Sequence, residues 1–185
     1  MKSLLKSASL LLAITFTSLS LSAQSQQTVQ VGGESMFPVK NIVQNAINSK
    51  AHTTLVAAVK AAGLVETLQG AGPFTVFAPV NDAFENLPSG TVETLLKPEN
   101  KAALSKVLTY HVVSGRYDFK AISKMLKKGQ NTLKTVSGGT LTFMANGPRN
   151  IMVKDENGNT ANIVTYDVYQ SNGVIQSIDT VLLPK

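Results

Sequence analysis

Two histidines, His52 and His111, are the imidazoles that this sequence offers for acid–base or nucleophilic chemistry. A serine hydrolase needs an imidazole that a carboxylate orients and that lies within reach of a hydroxyl. His111 is the stronger candidate because it follows Tyr110 and precedes apolar residues, whereas His52 stands near a predicted helix start and is most simply exposed or capping. No Gly-x-Ser-x-Gly nucleophile motif is present. We therefore interpret His111 as a buried ring that bonds to the backbone or to a side chain such as Asp82.

The acidic and amide residues do not form a recognisable metal or glycosidase site. The stretch 155–159, Asp-Glu-Asn-Gly-Asn, is rich in oxygen ligands but lacks the twelve-residue calcium-loop pattern and its terminal Glu. The sequence has no cysteine, and zinc-ligand spacing is absent. A glycosidase needs two acids that flank a cleft. Asp82, Glu85 and Glu93 instead fall on short predicted helices, where acids are expected near the N-terminus. We therefore predict no catalytic residue, no metal and no cofactor.

The first 23 residues are typical of a signal peptide. Lys2 and Lys6 precede an apolar stretch at 10–16, and Leu21-Ser22-Ala23 offers small residues for cleavage after Ala23. An uncleaved anchor is the alternative, but the apolar stretch is shorter than the ~20 residues of a spanning helix. Without cysteine, disulfides are excluded and stability after export must come from the core. We expect a protein secreted to the periplasm or the exterior, with no transmembrane anchor.

The chain of 185 residues carries a formal net charge of +6, and its lysines form one modest cluster. Lys120, Lys124, Lys127 and Lys128 make up this cluster, which indicates either a solvated helix face or a patch that binds a polyanion. Tryptophan is absent, and no array of aromatic and basic residues stands out. We therefore predict no nucleic-acid partner.

The N-terminal half of the mature chain has a helical pattern. Residues 24–38 are polar and predict a flexible arm, and apolar stripes at 39–68 predict helices, with Gly63 at a helix C-terminus. A strand follows from Phe74 and ends at Pro79. Asn81 or Asp82 can then cap a short helix that contains Phe84. Asn100 and Asp118 can cap two further helices.

The C-terminal half has the character of a sheet. After Gly129, the short β-like runs LTF, NIMV, ANIV, GVIQ and TVLL are separated by turn signals such as Asn146-Gly147-Pro148. Helices followed by a mostly antiparallel sheet define an α+β fold. No internal repeat is present, so we predict one domain over residues 39–184.

Three segments of the chain stand out as motifs: GPFTVFAPVNDAF (72–84), VLTYHVVSGRY (107–117) and SNGVIQSIDTVLLP (171–184). In this order and separation they resemble the motifs of a known family, the fasciclin domain. Two positions depart from the family pattern: Val80 stands where Thr is common, and Gln176 stands where His is frequent. The resemblance implies an N-terminal helical layer packed on a mostly antiparallel sheet. The motif positions in this chain are Pro79, Asn81, Asp82, Phe84, Tyr110, His111 and Asp179.

The family resemblance implies a non-enzymatic function outside the cell. Members of the family look like adhesion and matrix modules, and no catalytic residues are generally assigned to the fold. The resemblance therefore implies a secreted, single-domain, bacterial-type adhesion or surface-interaction protein, a monomer or weak homo-oligomer. Its partner would be a cell-surface or matrix protein or a polysaccharide. The alternative is a protein that binds or hydrolyses a small ligand in a cleft near Tyr110 and His111.

Contacts of such a module are expected on exposed loops and strand edges. The candidate turns are 146–149, which ends at Arg149, and 155–159, which follows Lys154. Tyr166 and Tyr169 suit contact with protein or sugar, although each is also typical of a core or sheet-face residue. The full set of candidate binding residues is Arg149, Lys154, Tyr166, Tyr169, Lys120, Lys124, Lys127 and Lys128.

Overall fold

A computed structural model describes residues 28–185, and the predicted signal peptide lies outside the described residues. Most helices precede the run of strands in the C-terminal half, as the sequence predicts. The helices are α1 (Ile42–Ala46), α2 (Thr53–Ala62), α3 (Val65–Gln69), α4 (Asn81–Glu85), α5 (Thr91–Leu95), α6 (Lys101–Tyr110) and α7 (Phe119–Lys127). The strands are β1 (Val29–Val31), β2 (Glu34–Met36), β3 (Phe74–Pro79), β4 (Val112–Ser114), β5 (Thr132–Lys134), β6 (Thr140–Ala145), β7 (Ile151–Lys154), β8 (Thr160–Gln170) and β9 (Gly173–Ile178). The predicted α+β class is confirmed.

The main sheet has seven strands in the order β4-β3-β9-β8-β7-β6-β5. The pairs from β5 through β9 are antiparallel, as is β3 with β4, while β3 and β9 run parallel. The sheet is therefore mixed but mostly antiparallel. The predicted strand at TVLL is wrong: residues after Ile178 form no strand. The Leu182 and Leu183 N–H groups bond instead to the side chains of His111 and Asp155.

The sheet separates two apolar cores. Successive side chains of a strand point to opposite faces, and β3 shows this at Val76 and Phe77. Val76 belongs to the first core, beneath α1, α2 and α6, whereas Phe77 packs in the second core, with Phe143 at 5.4 Å between ring centroids. Ile122 of α7 is fully buried in the second core. The two halves of the chain thus share one sheet.

Residues 28–38 are part of the folded structure rather than the flexible arm that the sequence predicts. Strands β1 and β2 form a hairpin, and its Val31 and Met36 are buried in the first core. Asn45 of α1 also bonds both the N–H and the carbonyl of Phe37, at 3.0 and 2.8 Å. These contacts hold residues 29–37 against the helices. Within residues 28–185, no helix is long and apolar enough to cross a membrane.

Candidate functional site

His111 is a buried structural imidazole. It follows the last residue of α6, where its Nδ1 lies 2.8 Å from the Val107 carbonyl oxygen, and its Nε2 accepts a hydrogen bond from the Leu182 N–H at 3.0 Å. Because Nε2 accepts, Nδ1 carries the proton and donates it to Val107. Burial lowers the pKa of His111 to about 4, against smaller opposing effects of the Val107 carbonyl and the Asp155 charge. The ring is therefore neutral near pH 7 and has no nitrogen left for a substrate.

Tyr110 points into the other core. Its ring is fully buried, its hydroxyl donates to the Thr140 carbonyl at 2.8 Å, and the same oxygen accepts from the Glu156 N–H at 3.1 Å. Burial raises its pKa to about 12. Tyr110 belongs to the second core, whereas the His111 ring borders the first, so the two side chains lie in different cores. The pair connects α6 to β6, to the β7–β8 turn and to the C-terminal segment.

His52 is also buried, contrary to the prediction that it is exposed or capping. Its exposed fraction is 3%, its Nδ1 lies 2.8 Å from Ser49 Oγ, and it makes no capping hydrogen bond at the start of α2. Burial lowers its pKa, against a smaller opposing effect of the Ala78 backbone. Within residues 28–185, no group of three or more potential ligand side chains is placed to hold a metal ion.

The segment after β3 caps a different helix from the one predicted. Asn81 Oδ1 accepts from the Thr54 N–H at 3.1 Å and from the Thr53 hydroxyl at 3.2 Å, and its Nδ2 donates to the Lys50 carbonyl at 2.8 Å. Asn81 therefore caps α2. Helix α4 begins after Val80 with no side-chain cap, and Asp82 is exposed. The predicted capping of α4 by Asn81 or Asp82 is wrong.

The other two motif residues of this segment are packed. Pro79 is buried at the end of β3, as predicted, and Phe84 packs partly buried against the first core. Together with the Asn81 bonds, they hold β3, α4 and α2 in a fixed arrangement. The segment is therefore a joint between these three elements.

The turn at 155–159 is organised around a buried carboxylate. Asp155 accepts from the N–H groups of Asn157 and Asn159 at 2.9 and 2.8 Å, from the Asn159 amide at 2.9 Å, and from the Leu183 N–H at 3.0 Å. Its exposed fraction is 4%. Asp155 therefore holds the C-terminal segment in place, while residues 157–159 of the same turn are exposed. The neighbouring Lys154 is half-buried on β7.

Two residues of the closing segment also have structural roles. Asp179 accepts from both the N–H and the side-chain amide of Asn162, each at 2.8 Å. Gln176, where the family often has His, is fully buried and bonds Asp167 in two directions: its Oε1 accepts from the Asp167 N–H at 3.0 Å, and its Nε2 donates to the carboxylate at 2.9 Å. Asp167 has a positive φ of 57°. The amide therefore stabilises an irregular part of β8 that the sequence does not reveal.

Asn172 is an important residue that sequence analysis missed. Its side chain accepts from the Ile42 N–H at 3.0 Å and donates to the carbonyls of Leu68 and Gly70 at 2.8 and 2.9 Å. These bonds link the β8–β9 turn to α1 and α3. The Ser171-Asn172-Gly173 pattern predicts the turn, but the distant backbone partners leave no signal in the sequence.

Several predicted binding residues meet at the N-terminal end of α7. Asp118 caps this helix, as predicted, by accepting from the Ala121 N–H at 2.7 Å, and it also accepts from the Tyr169 hydroxyl at 3.0 Å. Tyr166 packs edge-on against Phe119, with ring centroids 5.3 Å apart, and its hydroxyl accepts from the Ile151 N–H at 2.8 Å. Tyr169 is 37% exposed, whereas Tyr166 is half-buried. Tyr169 is therefore the more available of the two for contact.

The outer side of α7 carries the lysine cluster. All four side chains are exposed, and within residues 28–185 none has a carboxylate within 4 Å. We call this group the lysine face: Lys120, Lys124, Lys127 and Lys128. Arg149 is exposed in the β6–β7 turn, near Ile151 to which Tyr166 bonds. The structure thus places most of the predicted binding residues on the side of the sheet that α7 covers, and leaves Lys154 at the other end of β7.

The chain matches one family model and is similar in sequence to several known proteins. The family model for the fasciclin domain matches residues 50–184. Protein sll1483 of Synechocystis sp. is 50% identical over 145 residues, which cover 77% of this chain and 73% of that protein. The cell surface glycolipoprotein MPB83 of Mycobacterium bovis is 35% identical over 159 residues, 83% of this chain and 64% of that protein.

The fold also matches a solved structure. A FAS1 domain pair from the insect cell adhesion molecule Fasciclin I superposes with a TM-score of 0.70 at 18% sequence identity, over 80% of this chain and 52% of that chain. At this low identity the likeness concerns the fold alone.

Proposed function

Because this chain belongs to the fasciclin domain family, we propose that it is a secreted, non-enzymatic module that attaches to a surface or matrix partner. The partner contacts the lysine face and the neighbouring Tyr169. It is a cell-surface or matrix protein or a polysaccharide that carries negative charge. The protein acts as a monomer or weak homo-oligomer.

The observation that carries this proposal is the exposure of the lysine face on a firmly anchored helix. One side of α7 is fixed by the fully buried Ile122, while the opposite side presents four ammonium groups to solvent. A cluster of like charges without nearby carboxylates produces a local positive potential that attracts polyanions. Tyr169 adds an amphipathic ring at one end of the cluster, of the kind enriched in contact surfaces.

The burial of the two histidines and the cell-surface character of a relative support a role in attachment. His52 and His111 are buried, and His111 uses both nitrogens in bonds to the main chain, so neither is placed to act on a substrate at the surface. MPB83, a relative at 35% identity, is a cell surface glycolipoprotein. The predicted signal peptide agrees with a location outside the cytoplasm.

The test is a binding assay with the exported protein, intact cells and extracted surface polymers at two salt concentrations. One variant changes the four residues of the lysine face to Gln. The control variant changes four exposed lysines elsewhere to Gln, and so has the same net charge: Lys97, Lys101, Lys106 and Lys134. We expect the lysine-face variant to lose most binding, the control to keep it, and the wild type to bind less at higher salt. Equal binding by the two variants would overturn the proposed surface.

A further inference from the structure

The first core contains an apolar cavity of about 80 Å³. It lies beneath α1, α2 and α3, against β3 and β9, and residues such as Val43, Val59, Leu68 and Ile175 form its wall. Protein interiors are close-packed, and voids larger than a water molecule are few. An apolar void stays free of water and can take an apolar guest; an engineered cavity of about 150 Å³ in another protein binds benzene or xenon. A cavity of this kind therefore suits a hydrocarbon group.

The cavity reaches the surface through apolar residues. Ile47 and Val136 both contribute to its wall, yet their side chains are 50% and 45% exposed. Large apolar side chains that are half exposed beside an apolar cavity give a hydrocarbon a continuous contact surface from solvent to interior. The cavity is therefore accessible to a ligand in the folded protein.

The polar groups of the wall restrict the ligand further. The imidazoles of His52 and His111 border the cavity, but burial lowers the pKa of each, so both are neutral near pH 7. Lys60 is the one charged side chain among the described residues of the wall; it is exposed, and within residues 28–185 it has no carboxylate within 4 Å. The stem of a lysine packs along apolar surface while its ammonium stays in water. The interior is thus uncharged, and its rim carries a free positive charge.

From this arrangement we propose that the cavity binds a linear monocarboxylic acid, with the end of the hydrocarbon tail inside and the carboxylate paired with Lys60 at the rim. An uncharged tail matches the wall, and the single cation matches a single carboxylate. This site is on the opposite side of the sheet from the lysine face, so it goes beyond the proposed attachment function and does not depend on it.

The test follows binding of octanoate and of 1-octanol to the full exported protein by methyl-resolved NMR. We expect octanoate to shift the methyl signals of Val43, Val59 and Ile175 in the first core, while those of Val153 in the second core stay unchanged. Over a series of shorter to longer acids, each added methylene should tighten binding about fourfold until the cavity is full. Affinity that is independent of tail length, or shifts confined to the second core, would overturn the proposal.

Two substitutions locate the two ends of the ligand. Lys60→Met keeps an apolar stem and removes the charge on an exposed residue, so folding should be retained; it should weaken octanoate several-fold and leave 1-octanol unchanged. Ala46→Phe fills the cavity from α1 and should abolish binding of both, whereas Ala57→Phe, on the exposed side of α2, is its matched control. If Lys60→Met affects octanoate and octanol equally, the carboxylate does not pair with Lys60. The lysine-face variant should bind octanoate as the wild type does.

Discussion

His111 is a residue type that often performs acid–base chemistry, but here it makes a structural contact that depends on the protonation state of its ring. Its neutral ring donates to the Val107 carbonyl and accepts from the Leu182 N–H, which joins α6 to the C-terminal segment. Protonation of Nε2 would place a hydrogen against the Leu182 N–H and break the second bond. The buried ring thus favours the uncharged state, and the two protonation states differ in folding free energy.

This linkage predicts that acid weakens the protein through His111. The pKa falls from 6.5 in the unfolded chain to about 4 in the fold, so between these values the unfolded state binds more protons. The stabilisation is fully present above pH 6.5 and is lost as the pH falls towards 4, by roughly 3 kcal/mol at most. Urea unfolding across this range should give a steeper pH dependence for the wild type than for His111→Gln, whose amide does not titrate. Identical slopes would contradict the prediction.

The role of a polar side chain could be predicted from the sequence only where its hydrogen-bond partner is close along the chain. Asp118 caps α7 through the Ala121 N–H three residues away, so sequence spacing is sufficient to identify it. Asn81 has the same chemistry, but its partner is the start of α2, 27 residues earlier. No local pattern distinguishes these two cases, because both are polar residues beside a predicted helix. The same applies to Asn172 and Gln176, whose side chains are committed to distant backbone groups.

At the scale of elements, turn residues made strands β6 to β9 predictable. The β1–β2 hairpin instead depends on burial against residues that are distant in sequence. Glycine and asparagine mark the turns between β6 and β9, and Gly63 ends α2 in the left-handed conformation, with φ at 72°. The β1–β2 hairpin was not predictable, because its strands have three residues each and its polar composition is typical of a flexible segment. Its stability comes from Val31 and Met36, which are buried against helices that the local sequence does not indicate.

The burial of the β1–β2 hairpin predicts that truncating its core residue Met36 destabilises the protein. Met36 is 3% exposed, whereas Val39, just beyond the hairpin, is 70% exposed. Met36→Ala should lower the free energy of unfolding by roughly 2 to 5 kcal/mol, as is typical when a buried side chain is truncated. Val39→Ala should change it by no more than about 0.5 kcal/mol. Denaturant unfolding of the two variants measures this difference; near-zero effects of both would mean that residues 29–36 form the flexible arm after all.

At the scale of the whole molecule, two cores share a single mixed sheet. Strands β3 and β9 contribute side chains to both, and α6 contacts the first core through Leu108 and the second through Tyr110. The α+β class was predictable because helical and strand patterns are separated along the chain. The division into two cores was visible only in part, through the alternation of Val76 and Phe77. Because the two cores share strands β3 and β9, the stability of each depends on the other. We therefore expect them to unfold together.

This dependence is testable because the chain has no tryptophan and its four tyrosines report on one side of the molecule. Tyr110, Tyr117 and Tyr166 pack with the second core, and Tyr169 bonds to Asp118 at the start of α7, whereas most helices cover the first core. Leu55→Ala, in the first core, should lower stability by roughly 2 to 5 kcal/mol. If the cores unfold as one unit, tyrosine fluorescence and far-ultraviolet circular dichroism should shift to the same lower urea midpoint. A dichroism midpoint that moves while the fluorescence midpoint stays would show that β3 and β9 do not couple the two cores.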